Sequence, residues 1–341
     1  MAWTKPMSAN PVVAVAGATG AVGREMLLTL AQRDFPASRV IALASSRSAG
    51  KKLAFAGGEI TVQEMTPASF EGVDIALFSA GAGVSKRLRE AVVDAGCVMI
   101  DNSSAFRMDD DVPLVVPEVN PEDISWHSGV IANPNCSTIQ MVVALKPLDE
   151  LAQLKRVVVS TYQAASGAGA AAMEELYAQS RDFLMGQELH VESFAHRIAF
   201  NCIPHIDVFL NDGSTKEEWK MVVETKKIMH LPDLKVAATC VRVPVLRCHS
   251  ESINVEFAEP AFLGAVIEAF ESAPGVTLLD DPDRNSYPMP AMLEGTDDVY
   301  VGRLRRDDSV DYGVAFWCVA DQLRKGAALN AVQIAEALLG K

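Results

Sequence analysis

The segment Asn133-Pro134-Asn135-Cys136-Ser137-Thr138 places a cysteine between an apolar strand pattern and a helical one. Backbone N–H groups at a helix N-terminus stabilise a thiolate, and they can equally stabilise an oxyanion on a carbon bonded to its sulfur. The position points to nucleophilic catalysis at Cys136. The plain alternative is one packing cysteine among six. Against it, Cys136 is the only cysteine flanked by Asn and Ser at a loop-to-helix junction, whereas Cys97, Cys240 and Cys318 lie in apolar strand runs.

A second cluster, Gly17-Ala18-Thr19-Gly20-Ala21-Val22-Gly23, follows an apolar run and opens a helical pattern. Glycines there let backbone N–H groups and the positive helix end approach a pyrophosphate, so the loop predicts a bound dinucleotide. The next strand ends in Ser45-Ser46-Arg47-Ser48, with Lys51 and Lys52 close behind and no acidic residue to accept a ribose 2′-hydroxyl. A cation with hydroxyl donors suits a 2′-phosphate, which predicts NADP over NAD. Glu217, Lys220 and Glu224 recur at three and four residues and so share one helix face. Taken alone, that stripe reads as a solvated charged surface.

The elements that must position these groups come in two textures. Val12–Ala16, Val40–Ala44, Val73–Ser79, Cys97–Ile100, Leu114–Val116 and Val130–Ala132 read as buried parallel strands alternating with helices. Arg156–Gln163, Lys235–Val245, Ser252–Phe257 and Val310–Val319 are longer, often alternating runs with amphipathic helices between them. The expected fold class is α/β. It combines an N-terminal Rossmann-like doubly wound sheet (residues 1–136, completed by a C-terminal helix over 322–341) with an α+β domain over 137–321 whose sheet is mainly antiparallel. Met1 to Pro11 reads as a frayed extension.

The 341 residues carry 30 basic and 44 acidic side chains, a net charge of −14, with 49 % hydrophobic residues. A broad acidic excess repels phosphate backbones and anionic lipid, so neither nucleic acid nor a membrane is an expected partner. No apolar run is long enough to span a bilayer. The cysteines have no paired spacing, which suits the cytosol, and no His, Cys and carboxylate cluster has metal-ligand spacing, so no required metal is expected.

Together the motifs resemble the aspartate-β-semialdehyde dehydrogenase family. The resembling segments are Gly17–Gly23, Asp101-Asn-Ser-Ser-Ala-Phe-Arg107, Asn133–Thr138, Ser160-Thr-Tyr-Gln-Ala-Ala-Ser-Gly-Ala-Gly169, Glu217–Lys220 with Glu224–Ile228, and Val241-Arg-Val-Pro-Val-Leu-Arg-Cys-His249, in family order from about residue 12 to 340. The resemblance implies reversible, NADP-dependent conversion of β-aspartyl phosphate to aspartate-β-semialdehyde and phosphate, on the route to lysine (through diaminopimelate), methionine and threonine. It implies Cys136 as thioester-forming nucleophile, His249 as acid/base, and Gln163 as the residue orienting substrate. Arg242 would clamp the α-carboxylate and Glu217 the α-ammonium, while Arg107 and Lys220, with Asn135, would hold phosphate. Gly17, Thr19, Gly20, Ala21 and Val22 would cradle the cofactor's phosphates. Arg47 and Ser48 would meet its 2′-phosphate, and Ser166, Gly167 and Gln322 its nicotinamide end. The family is usually a homodimer through the second domain.

Two alternatives stay open. An N-acetylglutamyl-phosphate reductase-type enzyme shares a cysteine and a Rossmann half, but its blocked amine would not need Glu217. A silent NADP-binding homologue would not need Cys136, Gln163, Arg242 and His249 together. One tension remains: Arg242 and His249 are seven residues apart, which in a regular strand puts them on opposite faces. The segment must therefore bend or bulge, and Pro244 is one candidate for the break.

Overall fold

Val12–Ala16 contains only valine and alanine, and it forms β1 at the centre of a sheet covered on both faces. The structure is a computed structural model that describes residues 3–340; Met1, Ala2 and Lys341, the ends of the expected N-terminal extension and C-terminal helix, lie outside the described residues. Two compact units are present. One runs up to Asn135 and resumes at Ala327; the other is Cys136–Gly326.

In the first unit, β1 is followed by α1 (Ala21–Gln32), β2 (Arg39–Ala44), a hairpin of β3 (Lys52–Phe55) and β4 (Gly58–Thr61), and β5 (Gln63–Glu64). β6 (Ile75–Phe78), α2 (Ala82–Asp94), β7 (Val98–Asp101) and β8 (Val130–Ala132) complete it. The six-stranded sheet has the order β5-β2-β1-β6-β7-β8 and is parallel throughout. The C-terminal helix, Leu329–Leu338, buries Ala331, Val332, Ile334 and Ala335 in the same core as Met26, Leu27 and Leu30 of α1.

Three expectations are corrected here. Leu114–Val116 is not a strand but a single bridge from Leu114 to Ala132. Its neighbouring groups are taken by a side chain instead: Asn120 Oδ1 accepts from Val116 N–H, and Asn120 Nδ2 donates to the Leu114 carbonyl. The C-terminal helix does not start at Gln322; a π-helical turn over Arg324–Ala328 precedes it, and Gln322–Gly326 belongs to the second unit, as does Cys136. The extension before β1 is docked rather than frayed. Trp3 N–H donates to the His127 carbonyl at 3.0 Å, and Lys5 Nζ donates to the Gly96 carbonyl at 2.7 Å.

The second unit begins with α3 (Cys136–Leu151), whose residues are buried almost all round, as for a core helix. β9 (Leu154–Gln163), α4 (Ala170–Leu184), α5 (Lys216–Ile228), β10 (Lys235–Arg242) and β11 (His249–Phe257) follow. Then come α6 (Leu263–Ser272), β12 (Val276–Leu278), the short α7 (Pro290–Leu293), β13 (Val299–Arg306) and β14 (Gly313–Ala320). The sheet order is β10-β9-β11-β14-β13-β12; the three central pairings are antiparallel and the two outer ones parallel, so the sheet is mixed. On its opposite face Arg156, Val158, Ser160 and Tyr162 of β9 alternate outward and stay partly or fully exposed, with Tyr162 against Trp317 of β14. No helix of the described residues is long and apolar enough to cross a membrane.

Candidate active site

Cys136 is the first residue of α3, partly buried, at the positive end of the helix dipole. Gly326 stands behind it: a Cβ at position 326 would lie 2.9 Å from Cys136 Cβ and 3.1 Å from Gln322 Cβ. The other cysteines divide as their surroundings dictate. Burial pushes the Cys97 and Cys240 thiols far up, and Cys248 up to about 12. Cys202 is exposed.

β9 lies between β10 and β11, which resolves the seven-residue spacing. β10 ends at Arg242 and β11 begins at His249, so the two residues sit on different strands on either side of the end of β9. The intervening loop turns at Val243–Val245 and passes through Cys248 at φ 70°. The backbone of one residue fastens both side chains. Ala164, next after β9, donates its N–H to His249 Nδ1 at 3.0 Å and accepts at its carbonyl from Arg242 Nη1 at 2.6 Å. Gly167 packs against the same pair; a Cβ there would be 2.8 Å from Arg242 Nη1 and 3.0 Å from His249 Nε2.

His249 is fully buried. Burial first, and the Arg242 charge second, hold its imidazole well below the usual range, so it is neutral. Because Nδ1 accepts from Ala164, the single proton of the neutral ring sits on Nε2, which has no hydrogen-bond partner among the described residues. His249 thus presents a donor. Burial also pushes the Arg242 guanidinium below its ordinary value, opposed by the nearby Cys136 and Glu217.

The charged stripe of α5 is not a solvated face, because Glu217 and Glu224 are buried and the Lys220 side chain is only 12 % exposed. Gln163, paired with Arg242 across the sheet, donates from Nε2 to Glu217 Oε1 at 3.2 Å. Lys220 Nζ donates to Glu217 Oε2 at 3.1 Å and to Asp207 Oδ2 at 2.7 Å. Nothing in the sequence marks Asp207, since its partner is 13 residues away on another element. Gln322 is buried and occupied: Oε1 accepts from Cys248 N–H at 2.8 Å and Nε2 donates to Ser166 Oγ. Its structural task is to tie the Ser166 turn to the start of β11.

In the first unit, Gly17 has φ 87°, and a Cβ there would meet the Ser79 carbonyl oxygen at 2.3 Å. A Cβ on Gly23 would meet the Gly17 oxygen at 2.2 Å, so the loop closes only as glycine. α1 has Gly20 as N-cap with no side-chain cap, and no acidic residue in its first turn. Thr19, Gly20, Ala21 and Val22 therefore form a bare helix N-terminus that fits a pyrophosphate. Arg47 and Ser48 lie in the short turn after β2, with Arg47 exposed. Arg107 is buried and held by main-chain oxygens, Nε to Asn133 and Nη2 to Asn102, both at 3.0 Å. Asn133 Nδ2 donates to Asn102 Oδ1, and Asn330 of the C-terminal helix donates to Asn133 Oδ1 at 2.7 Å. These bonds fix the strand-end loop that leads through Asn135 to Cys136. Asn330 was not legible as a site residue because it lies in an ordinary helix pattern 197 residues from Asn133.

Residues 12–127 match the family profile described as semialdehyde dehydrogenase, NAD binding domain, and residues 145–325 match semialdehyde dehydrogenase, dimerisation domain. The aspartate-semialdehyde dehydrogenase of Aquifex aeolicus is 56 % identical over 331 residues, covering 96 % of this chain and 97 % of that protein. A solved aspartate semialdehyde dehydrogenase II from Vibrio cholerae, complexed with ASA, superposes with a TM-score of 0.95 at 46 % identity, covering 98 % of this chain and 99 % of the other. The Candida albicans aspartate semialdehyde dehydrogenase with NADP superposes at 0.75 with 28 % identity, over 96 % and 98 % of the two chains. A nicotinamide cofactor follows from the matched domain and this last structure.

Proposed function

The chain belongs to the aspartate-semialdehyde dehydrogenase family of oxidoreductases, and from that premise we propose how its residues divide the reaction. In the biosynthetic direction the Cys136 thiolate attacks the acyl carbon of β-aspartyl phosphate. A C–S bond forms, the C–O bond to phosphorus breaks, and phosphate leaves with the electron pair. The resulting thioester stays activated for reduction. The nicotinamide cofactor, when bound, supplies the hydride. Collapse of the tetrahedral thiohemiacetal oxyanion then breaks the C–S bond, regenerates the thiolate and releases the aldehyde. Both tetrahedral stages carry negative oxygen, and we assign the Nε2–H of His249 and the positive N-terminal end of α3 to meet it. A donor at Nε2 fits this direction without a prior proton transfer. In reverse, taking a proton onto the ring would set Nδ1–H against Ala164 N–H.

Arg242 holds the substrate's α-carboxylate, Glu217 its ammonium, and Gln163 orients the chain between them. Arg107, Lys220 and Asn135 receive phosphate. Thr19 to Val22 cradle the cofactor's pyrophosphate behind Gly17, Arg47 and Ser48 select NADP by its 2′-phosphate, and Ser166 and Gly167 lie at its nicotinamide end. The protein works in the cytoplasm as a homodimer, paired through the exposed sheet face around Tyr162 and Trp317, consistent with the matched dimerisation domain.

The carrying observation is the Ala164 backbone, whose N–H and carbonyl fasten His249 and Arg242 beside the strand that ends in Gln163. The test is phosphate-dependent formation of NADPH from aspartate-β-semialdehyde. Cys136→Ala should lower turnover by roughly a thousandfold or more, the scale set by loss of a catalytic nucleophile. Turnover at the wild-type rate in that variant would refute the thioester.

A further inference from the structure

Lys220 has three N–H donors and spends two on carboxylates, Glu217 at 3.1 Å and Asp207 at 2.7 Å. Two negative charges and one positive leave the trio at −1. Asp207 is held in place for this contact. Its φ is 68°, a left-handed conformation that aspartate tolerates better than most residues. Its own Oδ1 accepts from Val208 N–H at 2.9 Å, which leaves Oδ2 aimed at the ammonium.

The loop carrying Asp207 is pinned at both ends. On one side Ile203 exchanges both backbone hydrogen bonds with Arg242, at 2.9 and 2.8 Å. On the other, Lys216 N–H at the start of α5 donates to the Val208 carbonyl at 2.8 Å. A carboxylate so constrained, between the backbone of Arg242 and the helix of Glu217 and Lys220, is built into the site. Burial raises its carboxyl, but the hydrogen bond and charge of Lys220, together with the Val208 N–H and the Lys216 charge, hold it below the ordinary range.

We propose that Asp207 is a positioning residue that shares the Lys220 ammonium with Glu217, leaving the Glu217 carboxylate less compensated so that more of its charge acts on the substrate's ammonium, and holding Lys220 back from phosphate until phosphate displaces it. The inference rests on the reading of Lys220 as a phosphate ligand and Glu217 as the ammonium ligand. Without the Asp207 charge, Lys220 bears on Glu217 and on incoming phosphate with its full charge. Glu217 then grips the substrate's ammonium less, and phosphate is bound more tightly. The two effects have opposite sign, which a loss of folding or packing does not produce.

The experiment is steady-state phosphate-dependent oxidation of aspartate-β-semialdehyde by the full-length enzyme. Asp207→Asn keeps the shape and tolerates φ 68°; Asp207→Gly removes the side chain and accepts that φ without strain. In both, KM for phosphate should fall about threefold and KM for the aldehyde rise about threefold, the scale of a partly exposed ion pair. In a Lys220→Met background the change at 207 should leave phosphate KM unaltered. If both KM values rise together, or neither moves, while Lys220→Met alone raises phosphate KM, the role of Asp207 is overturned and the phosphate reading stands. If Lys220→Met leaves phosphate KM unchanged, the phosphate reading fails and the role of Asp207 with it.

Discussion

Replacing Gly326 by alanine sets one methyl group directly behind Cys136. Its carbon would stand 2.9 Å from Cys136 Cβ, 3.3 Å from Cys136 Cα and 3.1 Å from Gln322 Cβ. Carbon atoms in contact sit about 3.5–4.0 Å apart, so relief moves the two segments by roughly 0.6–1 Å. Backbone conformation adds nothing to the cost. Gly326 lies in a π-helical turn outside the left-handed region, where alanine would ordinarily gain about 0.5–1 kcal/mol over glycine. Overpacking costs about 1–3 kcal/mol, so after the propensity gain the net loss is at most about 2.5 kcal/mol. In a chain of this size that lowers Tm by a few degrees.

Catalysis should suffer more than stability. Productive geometry tolerates about 0.5 Å, and misplacement by about 1 Å costs roughly a hundredfold. Gly326→Ala should therefore lower kcat about ten- to a hundredfold in the phosphate-dependent NADPH assay, with KM for the cofactor unchanged. Gly264→Ala, where a Cβ meets nothing within 4 Å, is the control and should leave kcat alone. A folded Gly326→Ala protein with wild-type kcat would refute the reasoning.

Arg47→Ala should raise KM for NADP about tenfold or more and leave KM for NAD nearly unchanged, since only one of the two carries a 2′-phosphate; equal shifts in both would remove Arg47 from cofactor selection. His127 is buried and accepts from Gly129 N–H at 3.1 Å, and burial lowers it from 6.5 to about 4. A histidine depressed in the folded state contributes stability that is full above pH 6.5. As pH falls from there towards 4, the unfolded chain binds the proton first and stability is lost at up to about 1.4 kcal/mol per pH unit. Urea midpoints at pH 7 and pH 5 should therefore differ less in His127→Gln than in the wild type, and an undiminished difference would contradict this account.

What could be read from the chain was local. The Gly17–Gly23 loop and the Cys136 junction carry their chemistry within seven consecutive residues, because a strand, a turn and a helix start are enough to build each. Arg242 and His249 show the limit. Their placement depends on β9 lying between β10 and β11, and strand order is a tertiary fact that spacing along the sequence does not contain. The α5 stripe failed for a related reason: hydrophilic periodicity marks a face but not what covers it, and here Gln163 and Asp207 meet it from other elements. Leu114–Val116 has the composition of a strand, yet the Asn120 side chain takes backbone groups that a neighbouring strand would need.

A net charge of −14 opposes the binding of acyl phosphates and a dinucleotide. The interior reverses the sign locally. Arg107 and Arg242, each within its own unit, are buried and bonded to main-chain oxygens, which orient a guanidinium without cancelling its charge. Burial meanwhile pushes the Glu251 carboxyl well above the usual range, so this buried acid contributes less negative charge. The exception is Glu217, buried with both carboxylate oxygens accepting, one from Gln163 and one from Lys220. With Glu217 as the proposed ammonium ligand, a substrate with a free ammonium would meet that charge. An N-acylated substrate would not, and would bury the carboxylate of Glu217 against a neutral amide that returns no charge. The arrangement of fixed charges, not the motif alone, therefore favours the aspartyl substrate over the N-acetylglutamyl one.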